Sequence, residues 1–231
     1  MAVRAIRTVT SPDPAAHAEE IVAEAVQRAV DERGRCFVAL SGGRTPLALY
    51  RLLAQRRGLP WGQVELFWGD ERFVPHDHPD SNAGALEDVL ISKVPIPPGQ
   101  VHRWPILESA GASARAYELT LRERTSEVPM FDIDLLGLGR DCHTASLFPE
   151  AQVLDSPGLT VATRAPDGQQ RLSLTVPALS SSRLVLFLVT GEEKRPALMQ
   201  LLAAEGDRDI CPARAITALE RLMVVTDLAV S

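Results

Sequence analysis

At 231 residues, 45% of them hydrophobic, the chain carries enough apolar material for one large sheet-centred domain and too much for general disorder. Its formal charge is -6, from 24 Lys and Arg against 30 Asp and Glu. With no basic run or stripe, neither nucleic acid nor a membrane surface is expected as a partner. An acidic chain that binds an anion must do so at a locally built site, so glycine loops and placed cations are the features to find.

Met1 to Ser11 carries arginines but no apolar h-region, and no signal peptide is expected. No apolar run reaches the ~20 residues of a membrane helix. Cys36, Cys142 and Cys211 are odd in number, far apart and in no metal-ligand spacing, which predicts a reduced, cytoplasmic protein without a disulfide framework. Asp13-Pro14 followed by Ile21, Val22, Ala25, Val26, Ala29 and Val30 predicts an amphipathic helix, capped at its start and ended by Gly34. The continuous apolar run from Cys36 to Leu40 then predicts a strand buried on both faces. Similar runs follow at Val64 to Trp68, Ile133 to Leu136, Leu172 to Val176, Leu184 to Val189 and Leu222 to Val225. Helical patterns near 45–57, 82–92, 110–125 and 192–203 separate them. Strands alternating with helices read as parallel βαβ units. The expected fold is one doubly wound α/β domain over residues 1–231, a mainly parallel sheet flanked by helices in a Rossmann-like three-layer sandwich. In such sheets ligands sit outside the carboxyl ends of the strands, so the residues that follow strand ends carry the search.

Ser41-Gly-Gly-Arg-Thr-Pro46 follows the first of these strands. Gly42 and Gly43 let backbone approach a ligand, the next helix offers free N–H groups, and Ser41, Arg44 and Thr45 add donors and charge. The segment reads either as a phosphate cradle or as a tight βα turn. Its glycine spacing matches neither a Walker A loop nor a dinucleotide fingerprint. Trp68-Gly-Asp-Glu-Arg72 follows the second strand and places Asp70 and Arg72 beside a long polar loop. Arg72 reads as a phosphate or oxyanion ligand, with Asp70 orienting it or a water, or the charges form a solvated cluster. In that loop His76 and His78, with Asp77 and Asp80, lack the further ligands a metal site requires, and no metal is expected.

Gly137-Leu-Gly-Arg-Asp-Cys-His-Thr-Ala-Ser-Leu-Phe-Pro149 follows the strand ending at Leu136, with a short helix expected from about Thr144. His143 there is placed as a general base, with Asp141 fixing its tautomer or capping the helix; the alternative is a structural histidine. Cys142 as a thiol nucleophile is disfavoured, because adjacent residues rarely point at one another. Thr190-Gly-Glu-Glu-Lys194 follows another apolar strand and sets Lys194 near a helix start, where the macrodipole disfavours a cation. A bound anion explains that placement; a lysine projecting into solvent is the alternative.

Together these segments resemble the 6-phosphogluconolactonase family, over most of the chain and in the expected order. The carrying residues are Ser41 to Pro46, Trp68 to Arg72 with Asp77 to Asn82, Asp141 to Pro149, and Thr190 to Lys194. The resemblance implies hydrolysis of 6-phosphoglucono-1,5-lactone to 6-phosphogluconate in the oxidative pentose phosphate pathway, with no metal or organic cofactor. It implies a small sugar-phosphate lactone as the partner and a cytoplasmic monomer or weak homo-oligomer. It also implies that His143 activates water, with Arg72 and Asp70 at the reacting end or around the bound sugar phosphate. Ser41, Gly42, Gly43, Arg44, Thr45 and Lys194 would hold phosphate and substrate, and Arg171 belongs to a further family-like segment. The family usually has glycine where Cys142 stands; if that position needs φ > 0, cysteine there costs on the order of 1–2 kcal/mol. The related glucosamine-6-phosphate deaminases carry glutamate where Phe148 stands and tyrosine where Arg72 stands, so isomerase chemistry lacks a member here. A sugar-phosphate sensor of the transcriptional-regulator kind would carry a DNA-binding segment, whereas the stretch before Cys36 reads as one helix.

Overall fold

The computed structural model describes residues 5–125 and 130–230, so part of the Met1–Ser11 stretch lies outside the described residues. In chain order the elements are β1 (Ile6–Thr10), α1 (Pro14–Arg33), β2 (Cys36–Leu40), α2 (Arg44–Gln55), β3 (Val64–Trp68), β4 (Asp70–Arg72), α3 (Asn82–Val89) and β5 (Val101–His102). There follow α4 (Ala110–Thr125), β6 (Phe131–Leu136), β7 (Thr160–Arg164), β8 (Gln170–Leu174), α5 (Val176–Leu179), β9 (Ser182–Val189), α6 (Arg195–Leu202) and β10 (Arg221–Thr226).

Seven strands make one sheet in the order β1-β10-β9-β6-β2-β3-β5, every neighbour parallel. Its central strands are mostly apolar because helices flank the sheet: all of β2 and all of β6 are buried, the latter including Asp132 and Asp134. Each such Leu, Ile or Val contributes about 1.5–3 kcal/mol on leaving water. The expected α1 forms as its sequence signals require. Asp13 accepts from Ala16 N at 3.1 Å, Pro14 stands at the first turn, and Gly34 ends the helix in the left-handed region at φ 73°. Its buried face, including Val22, Val26 and Ala29, packs over β2, β6, β9 and β10.

Three expectations need correction. The first sheet strand is β1, not Cys36–Leu40; its Ile-Arg-Thr-Val-Thr sequence lies on a half-exposed edge and carries no continuous apolar signal. The run Leu172 to Val176 does not join the parallel sheet. Its strand is β8, which pairs antiparallel with β4 and β7 in a separate three-stranded sheet, and Val176 already begins α5 behind the cap of Thr175. The cysteines are not all reduced: Cys142 and Cys211 form a disulfide with Cα atoms 4.7 Å apart, while Cys36 is free and buried. A sequence separation of 69 hid that pair, which meets only because the loop after β6 and the segment before β10 converge.

Candidate functional site

After β2 the chain runs outward through β3 to β5, then returns to place β6 on the other side of β2 and builds outward through β9 to β10. The direction therefore reverses between β2 and β6, and loops diverging there leave a crevice at the carboxyl ends of the strands. A cleft of 230 Å³ occupies it. Its walls come from the four segments that follow β2, β3, β6 and β9, four adjacent strands. Ser41, Gly42, Gly43, Arg44, Thr45, Asp70, Arg72, His143 and Lys194 all line it.

One end is built on the start of α2. Gly43 caps that helix at φ 93°, a conformation that disfavours a side chain, and no side chain satisfies the first helical N–H groups. Uncapped donors and the positive dipole end therefore face the cleft. Gly42 is needed for another reason: a Cβ there would overlap the Asn82 amide. The buried Tyr50 hydroxyl accepts from Ser41 N at 3.0 Å and donates to Ser41 O at 2.8 Å, which fixes the turn from below. Across it, Thr45 and Thr190 place their hydroxyl oxygens 3.3 Å apart. Lys194 stands on the adjoining helical turn and donates from Nζ to Leu138 O at 2.7 Å. Burial, aided by the nearby positive charges of Arg140 and Arg44, holds its pKa below the usual lysine range, although Glu193 and Asp141 oppose this.

The Asp70–Arg72 segment is strand β4 rather than a solvated cluster. Glu71 is fully buried and points away from the cleft. Its carboxylate accepts from Arg72 N and Asn82 N at 2.7 Å, Ala83 N at 2.8 Å and Ser81 Oγ at 3.1 Å. It thereby satisfies the first donors of α3. Burial pushes its pKa above the usual carboxylate value, and the three backbone donors pull against that shift. Asp70 does not orient Arg72. Its carboxylate accepts from Ser146 Oγ at 2.7 Å and faces Asn82 Nδ2 at 3.4 Å, and that amide also donates to Asp70 O at 3.0 Å. Arg72 instead donates to Asp80 O at 2.6 Å. Arg171 pairs in register with Arg72 on β8, buried beside it rather than on the cleft wall. Burial first, then the like charge of Arg72, lowers its pKa.

The His143 loop is a sequence of tight turns. No helix starts near Thr144, because Cys142 at φ 68° and Ala145 at φ 47° both leave the right-handed region. Thr144 Oγ1 donates to Gly137 O at 2.9 Å, and Leu147 N closes onto Thr144 O at 2.9 Å. Within the turn His143 Nδ1 lies 2.5 Å from Asp141 Oδ1. Burial works to raise the Asp141 pKa, but the hydrogen bonds and charge of His143 prevail and carry it below the usual range. With Nδ1–H donated to Asp141, the remaining ring nitrogen, Nε2, is the lone-pair atom. Phe148 packs its ring 4.8 Å from the imidazole. A Cβ on Gly139 would overlap both His143 and Asp141, so this glycine makes room for the pair.

Three supporting residues escaped the sequence reading: Glu71 and Ser146 act behind the cleft-facing groups, and Asn82 lines the cleft beside Asp70. Only the polar Asp-Ser-Asn stretch before α3 hinted at them. His76 and His78 stand apart from the cleft, with His76 Nε2 2.9 Å from Trp104 O and His78 Nδ1 accepting from Asp80 N at 3.1 Å. Among the described residues no helix is long and apolar enough to cross a membrane.

Similarity to known proteins covers the same segments. The profile of the family described as glucosamine-6-phosphate isomerases/6-phosphogluconolactonase matches residues 10–224. A 6-phosphogluconolactonase of Nostoc sp. is 37% identical over 215 residues, covering 91% of this chain and 89% of the relative. One from Synechocystis sp. is 40% identical over 207 residues, covering 87% and 86%. The crystal structure of 6-phosphogluconolactonase from Thermotoga maritima superimposes with a TM-score of 0.86 at 30% identity, covering 96% of this chain and 98% of that one. A monomeric glucosamine-6-phosphate deaminase superimposes with a TM-score of 0.80 over 96% of each chain; at 21% identity it shares the fold alone.

Proposed function

The chain belongs to the glucosamine-6-phosphate isomerase/6-phosphogluconolactonase family, and from that premise we propose that it hydrolyses 6-phosphoglucono-1,5-lactone to 6-phosphogluconate, a step of the pentose phosphate pathway. The observation that carries the reading is His143 on one wall of a cleft that also holds the uncapped start of α2 and Lys194, with Asp141, outside the cleft lining, 2.5 Å from its Nδ1.

The phosphate binds the Gly42–Thr45 backbone and Lys194, where fixed donors and a partly buried cation replace water. Anchoring one end of the substrate turns binding energy into orientation of C1 against the imidazole. Asp141 holds Nδ1–H, so Nε2 takes a proton from water as its oxygen attacks the lactone carbonyl. Arg72 stabilises the oxyanion that forms. Collapse of the tetrahedral species breaks the bond from C1 to the ring oxygen. That oxygen leaves with the proton returned by His143, and the product is a carboxylate, an open-chain alcohol and one released proton. Asp70, held by Ser146 and Asn82, lines the reacting end and receives substrate hydroxyls. A lactone is an activated ester, so one base and one cation suffice without a covalent intermediate.

The test is hydrolysis of freshly made 6-phosphoglucono-1,5-lactone and its unphosphorylated analogue, corrected for the spontaneous rate. The wild type should act strongly on the phosphorylated lactone and weakly on the analogue. His143→Ala should lose about 10²–10⁴-fold in kcat. A wild type with no rate above background defeats the hydrolase reading, and an undiminished His143→Ala defeats the assignment of the base.

A further inference from the structure

The proposed hydrolysis makes no use of the Cys142–Cys211 bridge, yet Cys142 stands directly between Asp141 and His143. Its backbone sits at φ 68°, a region that glycine enters freely and cysteine does not. Its N–H donates to Gly139 O at 3.1 Å and its carbonyl accepts from Ala213 N at 3.2 Å. The other half of the bridge, Cys211, follows an exposed stretch over 203–210 and leads into the turn Pro212–Ala215, whose first two residues are buried. The bridge thus ties the turn carrying the Asp141–His143 pair to a surface segment 69 residues away in sequence. The reduced state is also accommodated: Cys142 Sγ lies 3.4 Å from Ala197 O, an acceptor for its S–H.

We propose that Cys142 and Cys211 form a reversible thiol–disulfide modification site, with a dithiol reductant as co-reactant, whose bridged form is the more active enzyme. The activity clause rests on His143 being the base. Both sulfurs are buried, and access comes from local opening of the exposed stretch that precedes Cys211. A thiolate of the reductant attacks Cys211 Sγ, the S–S bond breaks, and Cys142 leaves as a thiolate that takes a proton. The second thiol of the reductant attacks the mixed disulfide and frees Cys211. Two electrons and two protons have then passed to the protein, and the reductant ends as its own disulfide. Without the tether, Cys142 relaxes from its left-handed conformation and carries its two neighbours with it. The 2.5 Å contact between Asp141 and His143 loosens, and Nε2 loses its aim.

Thiols are counted in denatured protein purified without reductant, and kcat and Tm are followed through dithiothreitol and then diamide. The expected count is one free thiol, Cys36, rising to three on reduction. The kcat should fall about 5–10-fold on reduction and recover on reoxidation, with Tm moving by roughly 5–10 °C in step. Cys211→Ser should remain at the lower activity under both reagents. Cys142→Gly, which adopts the same backbone freely, should keep the higher activity under both. Three free thiols after diamide treatment, or equal kcat in the bridged and reduced forms, would overturn the proposal. One free thiol with the Tm shift but no lactonase in either state would overturn the hydrolase reading and leave the bridge as a stabilising site.

Discussion

Gly139→Ala separates the aim of the proposed base, His143, from the stability of the fold. Gly139 opens the turn that closes when its N–H donates to His143 O at 2.8 Å and its carbonyl accepts from Cys142 N at 3.1 Å. Its φ is not in the left-handed region, so alanine adds no backbone strain there. The added methyl would overlap His143 Nδ1 and Cε1 together with Asp141 Oδ1. To restore ordinary contact the imidazole must move by more than ~1 Å, and a displacement of that size at a reacting group costs about 10²-fold in rate. The expected outcome is a kcat/KM about 10²-fold lower, with Tm within a few degrees of wild type. The matched control is Gly137→Ala in the same loop, where a Cβ meets nothing within 4 Å. Steady-state hydrolysis and thermal unfolding of both variants decide the matter. A Gly139→Ala enzyme within twofold of wild type would refute the claim that the pair's position limits the reaction. An equal loss in Gly137→Ala would show that the loop is merely intolerant of substitution.

Two further outcomes follow from buried charge. Glu71→Gln exchanges an acceptor for an NH2 group against the N–H of Ala83 or Asn82, leaving buried donors facing each other; it should cost about 1–3 kcal/mol, or roughly 2–10 °C in Tm. Because the folded Glu71 pKa is raised, its stabilisation is full below the unfolded value near 4.5 and is lost as pH rises through the folded value. The deficit of the glutamine variant, measured by unfolding, should therefore be larger just above pH 4.5 than at neutral pH. Lys194→Met should raise KM for the phosphorylated lactone at least about 10-fold with a smaller effect on kcat, since in the proposed reading the cation holds the non-reacting end. Burial depresses the Lys194 pKa, so calorimetric affinity for 6-phosphogluconate should weaken at a lower alkaline pH than an ordinary lysine would give, and that limb should vanish in the variant.

The sheet was legible because its central strands are buried on both faces and read as mostly apolar runs; Cys36 to Leu40 is unbroken, whereas β6 carries Asp132 and Asp134. The cleft followed from chemistry placed just after those strands, which is where backbone of an open sheet stays free to meet a ligand. What the sequence concealed was local conformation and distant pairing. The Leu172 to Val176 run sets Ser173 and Thr175 between its apolar residues, and its antiparallel partners at β4 and β7 place it in the small sheet. The expected helix at Thr144 failed because two non-glycine residues take positive φ, which no local composition announces. Glu71 looked like one charge in a polar loop, yet its oxygens meet the first donors of α3, a role decided by residues 10 to 12 positions away.

The same distinction bears on why one fold would run hydrolysis here rather than isomerisation. An aldose–ketose isomerisation must move a proton between adjacent carbons, and so needs a second titratable group at the reacting end besides the one that opens the ring. At His143 that place is taken by Phe148, whose ring lies 4.8 Å from the imidazole and neither accepts nor donates a proton. Asp141 is already committed to Nδ1, and its depressed pKa keeps it a carboxylate, so it orients the histidine and does not shuttle protons. Asp70 accepts from Ser146 and Asn82, and in the proposed reading its remaining acceptor sites hold substrate hydroxyls rather than move a proton. Beside Phe148 what is left is one imidazole nitrogen with a lone pair, in a cleft that also holds Arg44, Arg72, Glu193 and Lys194. Such an arrangement serves a reaction in which one proton is taken from water and handed on to the leaving oxygen, and opening a lactone is a reaction of that kind.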